Sequence, residues 1–257
     1  MSQDYIQFIS RINRKLGIDL SLYKEAQMKR RITSLRNKRG YQDFVTYYRA
    51  LEESETLLEE FTKRLTINVS EFYRNPKRWN ALEKDIIPLL TKKKNKLTVW
   101  SAACSTGEEP YSIAMLLTEL FPEVQATIIA TDIDEFVLKQ AKQGVYPEQS
   151  LKNLSTNFKD KFFTYKNKLY HINNSVKNQV TFKKHNLLAD TYPENVDLLI
   201  CRNVLIYFTD QAKDNIYQKF SSSLNEQGIL FVGSTEQIFN SERYNLKLVD
   251  TFFYQKN

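Results

Sequence analysis

Apolar residues recur at Tyr5, Phe8, Ile9, Ile12 and Leu16, the three- and four-residue spacing of one helix face, and Gly17 follows as a stop. Ser21 is placed to cap a second helix that ends at Gly40. Asp43 opens a third with Phe44, Tyr47, Tyr48 and Leu51, and Ser54 a fourth with Leu57, Leu58, Phe61 and Leu65. The first part of the chain thus reads as a small all-helical bundle. Asn75-Pro76 has the form of a cap and a first helical residue, leading into Trp79, Leu82, Ile86 and Ile87. Beyond it the period changes. Leu97 to Ser101, Ile128 to Ala130, Val196 to Cys201 and Ile229 to Val232 are short apolar, β-branched runs of the kind buried in a sheet, with helical patterns between them. Alternation of strands and helices predicts an α/β domain.

The join after the first run is Val99-Trp100-Ser101-Ala102-Ala103-Cys104-Ser105-Thr106-Gly107-Glu108-Glu109-Pro110. It reads as strand, tight turn and helix, with Pro110 at a first helical position where its missing N–H costs nothing. Small residues let the backbone approach a ligand, and the free N–H groups of a helix start favour a polar or anionic group. The turn is neither Gly-x-Gly-x-x-Gly nor a phosphate loop with Gly-Lys-Ser/Thr. Glu108 and Glu109 would repel a pyrophosphate but suit an ammonium or sulfonium; alternatively they only complement the helix dipole. Roughly 25 residues further on, Thr131-Asp132-Ile133-Asp134 ends a second apolar run in an acid, where a doubly wound sheet hydrogen-bonds ribose hydroxyls. Ribose, a cationic amino-acid tail and no phosphate together describe S-adenosylmethionine.

Composition narrows the class. The 257 residues, 42% apolar, suffice for one sizeable core plus a small helical domain, and 15 Tyr and 16 Phe argue against disorder. No apolar run approaches the ~18 residues of a membrane span and the first residues lack a signal-peptide core, so a soluble, cytoplasmic protein is expected. Cys104 and Cys201 fall in or beside strand ends without metal spacing, and His171 and His185 stand alone, so neither a metal nor a disulfide is expected.

Charge is unevenly spread. Residues 1–95 hold 20 Lys and Arg against 12 Asp and Glu, and residues 96–257 hold 17 against 18. The excess concentrates in Lys24, Lys29, Arg30, Arg31, Arg36, Lys38 and Arg39, with Glu25 the only acid in that span. Helical spacing lets these side chains share much of one surface. Such a face is either merely solvated or a docking surface for an acidic partner. Between bundle and sheet, Asn68, Ser70 and Arg74 are polar residues among apolar ones in a segment crossing the seam between domains; that segment is an ordinary linker or part of a ligand site.

The chain resembles the chemotaxis receptor methyltransferases, the CheR family. The resemblance rests on Asn68-Val69-Ser70-Glu71-Phe72-Tyr73-Arg74, Trp100 to Ser112, Thr131-Asp132-Ile133-Asp134, Asn186-Leu187-Leu188 and Cys201-Arg202-Asn203-Val204-Leu205-Ile206-Tyr207-Phe208. Cys104 stands where many members have Ala, and Ser70 where Thr is common. The resemblance implies an α/β fold with an N-terminal helical, receptor-docking domain over 1–75 and a Rossmann-like methyltransferase domain over 76–257. A final antiparallel strand is expected near Phe252 to Tyr254. A small antiparallel β insertion is expected at about 160–178, within a stretch of aromatic and β-branched residues from Phe162 to Phe182 spread among Asn and Lys turns. In some members this subdomain grips a tethering peptide of the receptor.

The implied activity is transfer of a methyl group from S-adenosylmethionine to receptor glutamates, leaving S-adenosylhomocysteine, by a monomer recruited to receptor arrays. Asn68, Ser70, Arg74, Glu108, Glu109, Asp132, Asn186, Leu187, Arg202 and Asn203 would line the cofactor, and Arg74 and Tyr207 would position the carboxylate. The partner would be the cytoplasmic helical domain of a membrane chemoreceptor, with the basic helix docking on it; neither nucleic acid nor membrane insertion is expected. After the third apolar run, Arg202-Asn203-Val204-Leu205 replaces the Asn/Asp-Pro-Pro-Tyr/Phe that base-amine methyltransferases commonly carry. Two other functions fit parts of the chain: an RNA or small-molecule methyltransferase using the basic helix on phosphates, marked by salt-steep RNA binding, and a cofactor-sensing module that transfers no methyl.

Overall fold

The computed structural model describes residues 3–66, 68–92 and 94–257. The chain forms two compact units, one comprising Met1–Asn68 with Leu205–Ile216, the other Val69–Val204 with Tyr217–Asn257.

The first unit contains α1 (Gln3–Leu16), α2 (Glu25–Lys38), α3 (Phe44–Glu53) and α4 (Glu55–Leu65). The predicted face of α1 is buried, and Phe8 lies at its centre, with ring centroids of Phe44, Tyr47, Tyr48 and Phe61 at 5.1, 6.0, 6.2 and 5.9 Å. Two of the expected caps are made: Asp43 accepts from the Thr46 N–H at 2.7 Å and Ser54 from the Leu57 N–H at 3.2 Å. Ser21 does not cap α2. Asp19 captures both its N–H (3.0 Å) and its hydroxyl (2.6 Å) in a short 3₁₀ turn, Leu20–Leu22. The next residues pair with a distant segment of the same unit. The Lys24 N–H donates to the Tyr207 carbonyl at 2.8 Å, the Thr209 N–H to the Leu22 carbonyl at 2.9 Å, and the Tyr23 and Phe208 rings meet edge-on at 4.8 Å.

The second unit opens with α5 (Pro76–Ala81), a π-helical stretch over Leu82–Ile86, and α6 (Ile87–Thr91). The π turn falls where Pro88 has no N–H to return to the preceding turn. Then follow β1 (Lys96–Ala102), α7 (Glu108–Leu120), β2 (Gln125–Asp132), α8 (Glu135–Gln143), β3 (Val145–Tyr146), α9 (Thr156–Phe162), β4 (Phe163–Lys166), β5 (Leu169–Ile172), α10 (Asn174–Lys177), β6 (Val180–Lys184) and β7 (Val196–Cys201). The chain ends with α11 (Asp210–Ser223), β8 (Leu224–Val232), β9 (Leu246–Asp250) and β10 (Phe253–Lys256).

The main sheet has the order β6-β2-β1-β7-β8-β10-β9, parallel from β6 to β8 and antiparallel beyond. Every residue of β7 is buried, Asp197 included, as expected of a strand inside a parallel sheet. The order reverses at β1, with β2 on one side and β7 on the other. Ligands of such sheets bind outside the carboxyl ends at that point.

The expected insertion is a three-stranded sheet, β3-β5-β4, whose β4–β5 hairpin turns through Asn167 and Lys168 at positive φ. Its third strand comes from Val145 and Tyr146, upstream of the expected limits. Val180 and Phe182 belong instead to β6, parallel to β2 in the main sheet. Asn75 precedes α5 in the left-handed region (φ 64°) without a capping bond, and its amide donates to the Ser234 hydroxyl at 3.0 Å. Residues 69–75 pack with the second unit: the Phe72 N–H donates to the Ser150 carbonyl at 3.0 Å, and its ring meets Tyr146 at 4.9 Å and Phe163 at 5.2 Å.

Candidate functional site

The turn between β1 and α7 is tightly wound: Ala103, Ser105 and Gly107 all have positive φ, 58°, 50° and 91°. For Ala and Ser this conformation costs about 1–2 kcal/mol each, so the surroundings must hold it. They do so with hydrogen bonds from neighbouring segments. The Cys104 N–H donates to the Thr131 carbonyl at 2.8 Å, and the Tyr146 hydroxyl to the Thr106 carbonyl at 2.8 Å. At Gly107 a Cβ would stand 2.9 Å from the Ala141 Cβ, so only glycine lets the turn lie this close to α8. The helix begins at Glu108, two residues earlier than expected, and Pro110 occupies its first turn, where an N–H is still not needed.

Acidic side chains gather at the carboxyl ends of the strands. Asp132, 6% exposed, accepts from the Ser105 N–H at 2.8 Å and from the Asp134 N–H at 3.0 Å, so it also holds the turn. Burial pushes its carboxyl up to about 6, against the pull of those hydrogen bonds. Asp134 itself caps α8 through the Phe136 N–H at 2.9 Å. Glu108 is buried and accepts from the Thr106 hydroxyl at 2.6 Å, with the Ser70 and Ser150 hydroxyls also donating toward it. Glu109 turns the other way, accepting from the Ser101 hydroxyl at 2.8 Å and pairing with Arg202 at 3.5 Å. Burial raises the pKa of both glutamates, and Arg202 works against the rise at Glu109. Cys104 and Cys201 are buried free thiols whose pKa burial pushes well up, which makes them poor nucleophiles.

Arg202 follows β7. Its guanidinium donates to the Arg74 carbonyl at 2.8 Å and lies 4.7 Å from the Phe231 ring centroid, while burial lowers its pKa. The Arg74 side chain donates to the Val69 carbonyl at 3.0 Å. Beyond β6, the His185 N–H donates to the Asp132 carbonyl at 2.9 Å, bringing Asn186 and Leu187 beside the end of β2. Their turn is built: Asn186 accepts from the Leu188 N–H at 2.9 Å, and the Leu187 carbonyl accepts from the Tyr192 hydroxyl at 2.7 Å. The second unit thus brings Ser70, Arg74, Glu108, Glu109, Asp132, Asn186, Leu187, Arg202 and Asn203 to the strand ends and to the segments bonded there.

Asn68 and Tyr207 belong to the first unit. The Asn68 amide donates to the Thr66 hydroxyl at 2.9 Å, and the Tyr207 ring faces the Arg31 guanidinium at 5.4 Å. The basic helix is partly committed to its own unit. Arg31 also donates to the Leu65 carbonyl at 2.9 Å, Lys29 lies over Tyr5, Arg36 over Phe44, and Arg39 pairs with Glu60. Lys24, Arg30 and Lys38 are exposed.

The strand-end donor set suits S-adenosylmethionine better than a nucleotide phosphate. Three carboxylates flank the turn, and among the described residues the Ser105 hydroxyl and the Arg202 Nε are buried without a protein partner. Residues 68–253 match the family described as CheR methyltransferase, SAM binding domain, and residues 3–66 match the CheR methyltransferase all-alpha domain. The chain belongs to the CheR methyltransferase family. Among other CheR-type proteins, the chemotaxis protein methyltransferase of Listeria monocytogenes is 44% identical over 257 residues, covering 100% of this chain and 98% of that one. Those of Borreliella burgdorferi and Escherichia coli K12 are each 33% identical, covering 98% and 90% of this chain and 93% and 83% of theirs. The expected fold, a helical domain followed by a Rossmann-like S-adenosylmethionine-binding domain with a small antiparallel sheet, is the observed one.

Glu236 escaped the sequence reading. It is 5% exposed and accepts the N–H groups of Asn203 (2.6 Å), Val204 (2.8 Å) and Gly233 (2.8 Å). The one signal in the chain was an acid three residues after a glycine at a strand end. No helix among the described residues is long and apolar enough to cross a membrane.

Proposed function

We propose that this CheR-family chain methylates glutamate side chains of chemoreceptors, forming methyl esters and S-adenosylhomocysteine. The observation that carries the reading is full-length similarity to chemotaxis protein methyltransferases together with a cofactor turn lined by carboxylates. When bound, S-adenosylmethionine supplies an electrophilic methyl group on a sulfonium. The glutamate, with an ordinary pKa of about 4.3, is already an anion at neutral pH, so no general base is required of the protein. Its task is to orient that carboxylate and strip its water.

We assign the orienting role to Arg74 and Tyr207, and cofactor contacts to Asn68, Ser70, Arg74, Glu108, Glu109, Asp132, Asn186, Leu187, Arg202 and Asn203. Glu108, Glu109 and Asp132 supply negative potential for a cationic ligand. A fixed cation held hard against the substrate carboxylate would stabilise the ground state and slow transfer. Docking on the acidic, helical receptor falls to the exposed cations Lys24, just before α2, and Arg30 and Lys38 of α2, with Lys29, Arg31, Arg36 and Arg39 contributing field from more fixed positions.

The test is mass spectrometry of a chemoreceptor cytoplasmic fragment incubated with the protein and methyl-labelled S-adenosylmethionine. Base-labile label on glutamate side chains supports the proposal. Label in RNA, or cofactor binding without transfer to any receptor glutamate, refutes it.

A further inference from the structure

Glu236 is a buried carboxylate that the proposed chemistry leaves unused. Its two oxygens accept three main-chain N–H groups from two separate strand ends. Oε1 takes the Val204 N–H at 2.8 Å, and Oε2 takes those of Asn203 at 2.6 Å and Gly233 at 2.8 Å. The turn after β7 carries Asn203 at φ 62°, the left-handed region that Asn tolerates better than most side-chain-bearing residues, and the clamp fixes its N–H there. Space is equally committed: a Cβ at Gly233 would stand 2.4 Å from Glu236 Oε2 and 2.8 Å from the Asn203 nitrogen. Residue 233 is therefore restricted to glycine by the clamp itself. The residue just before the turn, Arg202, is buried with its Nε unpartnered.

We infer that Glu236 is a positioning residue for the cofactor: its carboxylate gathers the Asn203, Val204 and Gly233 N–H groups and so fixes the turn that presents Arg202 and Asn203. The inference rests on the assignment of these two residues to the cofactor. A carboxylate suits this task because its oxygens accept from several directions at once, whereas an amide of the same size has one accepting oxygen and one NH2 that opposes a facing N–H. Gly233 acts in the same device by leaving room for Oε2.

The experiment is calorimetric titration of the full chain with S-adenosylhomocysteine, without receptor, for wild type, Glu236→Gln, Gly233→Ala, the double variant and Asn203→Ala. Near-ultraviolet circular dichroism would establish the folded fraction of each. Both Glu236→Gln and Gly233→Ala should raise Kd about tenfold or more in folded protein, the effect of losing one charge-assisted hydrogen bond. The double variant should be no weaker than the weaker single one, because both changes open the same clamp. In turnover, KM for S-adenosylmethionine should rise while kcat at saturating cofactor holds, a split that loss of stability alone does not produce. A folded Glu236→Gln with wild-type Kd, in a series where Asn203→Ala does weaken binding, overturns the inference. So do losses that simply add in the double variant. If Asn203→Ala leaves Kd unchanged, the assignment of the turn to the cofactor fails first and takes the inference with it. Should Glu236→Gln not fold, Gly233→Ala, which keeps the carboxylate, decides.

Discussion

Asp132→Asn separates two opposing contributions of one buried carboxylate. In the folded protein its pKa is about 6, against 3.8 for an unperturbed aspartate, because burial outweighs the hydrogen bonds from Ser105 and Asp134. A raised carboxyl pKa means that the folded state binds the proton more tightly than the unfolded chain. Stability therefore falls as pH rises from about 4 to about 6 and levels off above. At about 1.36 kcal/mol per unit, keeping Asp132 ionised at pH 7 costs the fold about 3 kcal/mol relative to low pH, and about 1.3 kcal/mol of that loss falls between pH 5 and pH 7.

Asparagine removes this titration but accepts only one of the two N–H groups, leaving the other facing an NH2 at a cost of about 1–3 kcal/mol. At pH 7 the two effects nearly offset. The variant should then be about as stable as wild type at pH 7 and about 1.3 kcal/mol less stable relative to it at pH 5. Urea unfolding of both proteins at several pH values gives this difference directly, since every other titrating group is common to the two. A difference that stays flat from pH 5 to pH 7 would refute the reasoning, because the carboxyl would then not be held up by burial. The same charge bears on ligand binding: a cationic cofactor favours ionised Asp132, so wild-type affinity for S-adenosylmethionine should climb through pH 6 and the variant's should not.

The remaining expectations concern neighbouring groups. Arg74→Ala and Tyr207→Phe should lower kcat more than cofactor affinity, as expected of contacts realised mainly in the transition state; equal losses in steady-state rates and calorimetric affinity would make them cofactor ligands only. Glu109→Gln leaves the buried Arg202 without its carboxylate and should lower stability by about 3 kcal/mol in urea unfolding, whereas an unchanged midpoint would show that the pair at 3.5 Å contributes nothing. Reversing Lys24, Arg30 and Lys38 to Glu should raise KM for the receptor and flatten its salt dependence at constant stability, each exposed charge contributing about 0 to 1 kcal/mol. Arg31→Ala should instead affect unit stability and turnover, since this guanidinium packs on Tyr207 and bonds Leu65; a pure KM effect would return it to the docking set.

Local signals in the chain were enough for the helices, the parallel strands and the acid-rich turn. The α1 face, the Asp43 and Ser54 caps and the mostly apolar β7 are each specified within a few residues, by side-chain period or by a hydrogen bond to a near neighbour. The β1–α7 turn was legible for the same reason: its small residues and paired acids are contiguous. β9 was not, because as an edge strand of the sheet it exposes Lys247, Leu248 and Val249 and shows no buried alternation. Tertiary structure alone decided the partners. That Asp132 braces the turn, that Glu109 meets Arg202, that Glu236 gathers three N–H groups from two strand ends, and that Tyr207 lies under Arg31 are all contacts between distant segments. A sequence states which groups are available to bond. Which of them meet is fixed by strand order and by the requirement that buried polar groups find partners, and both exist only once the chain is folded.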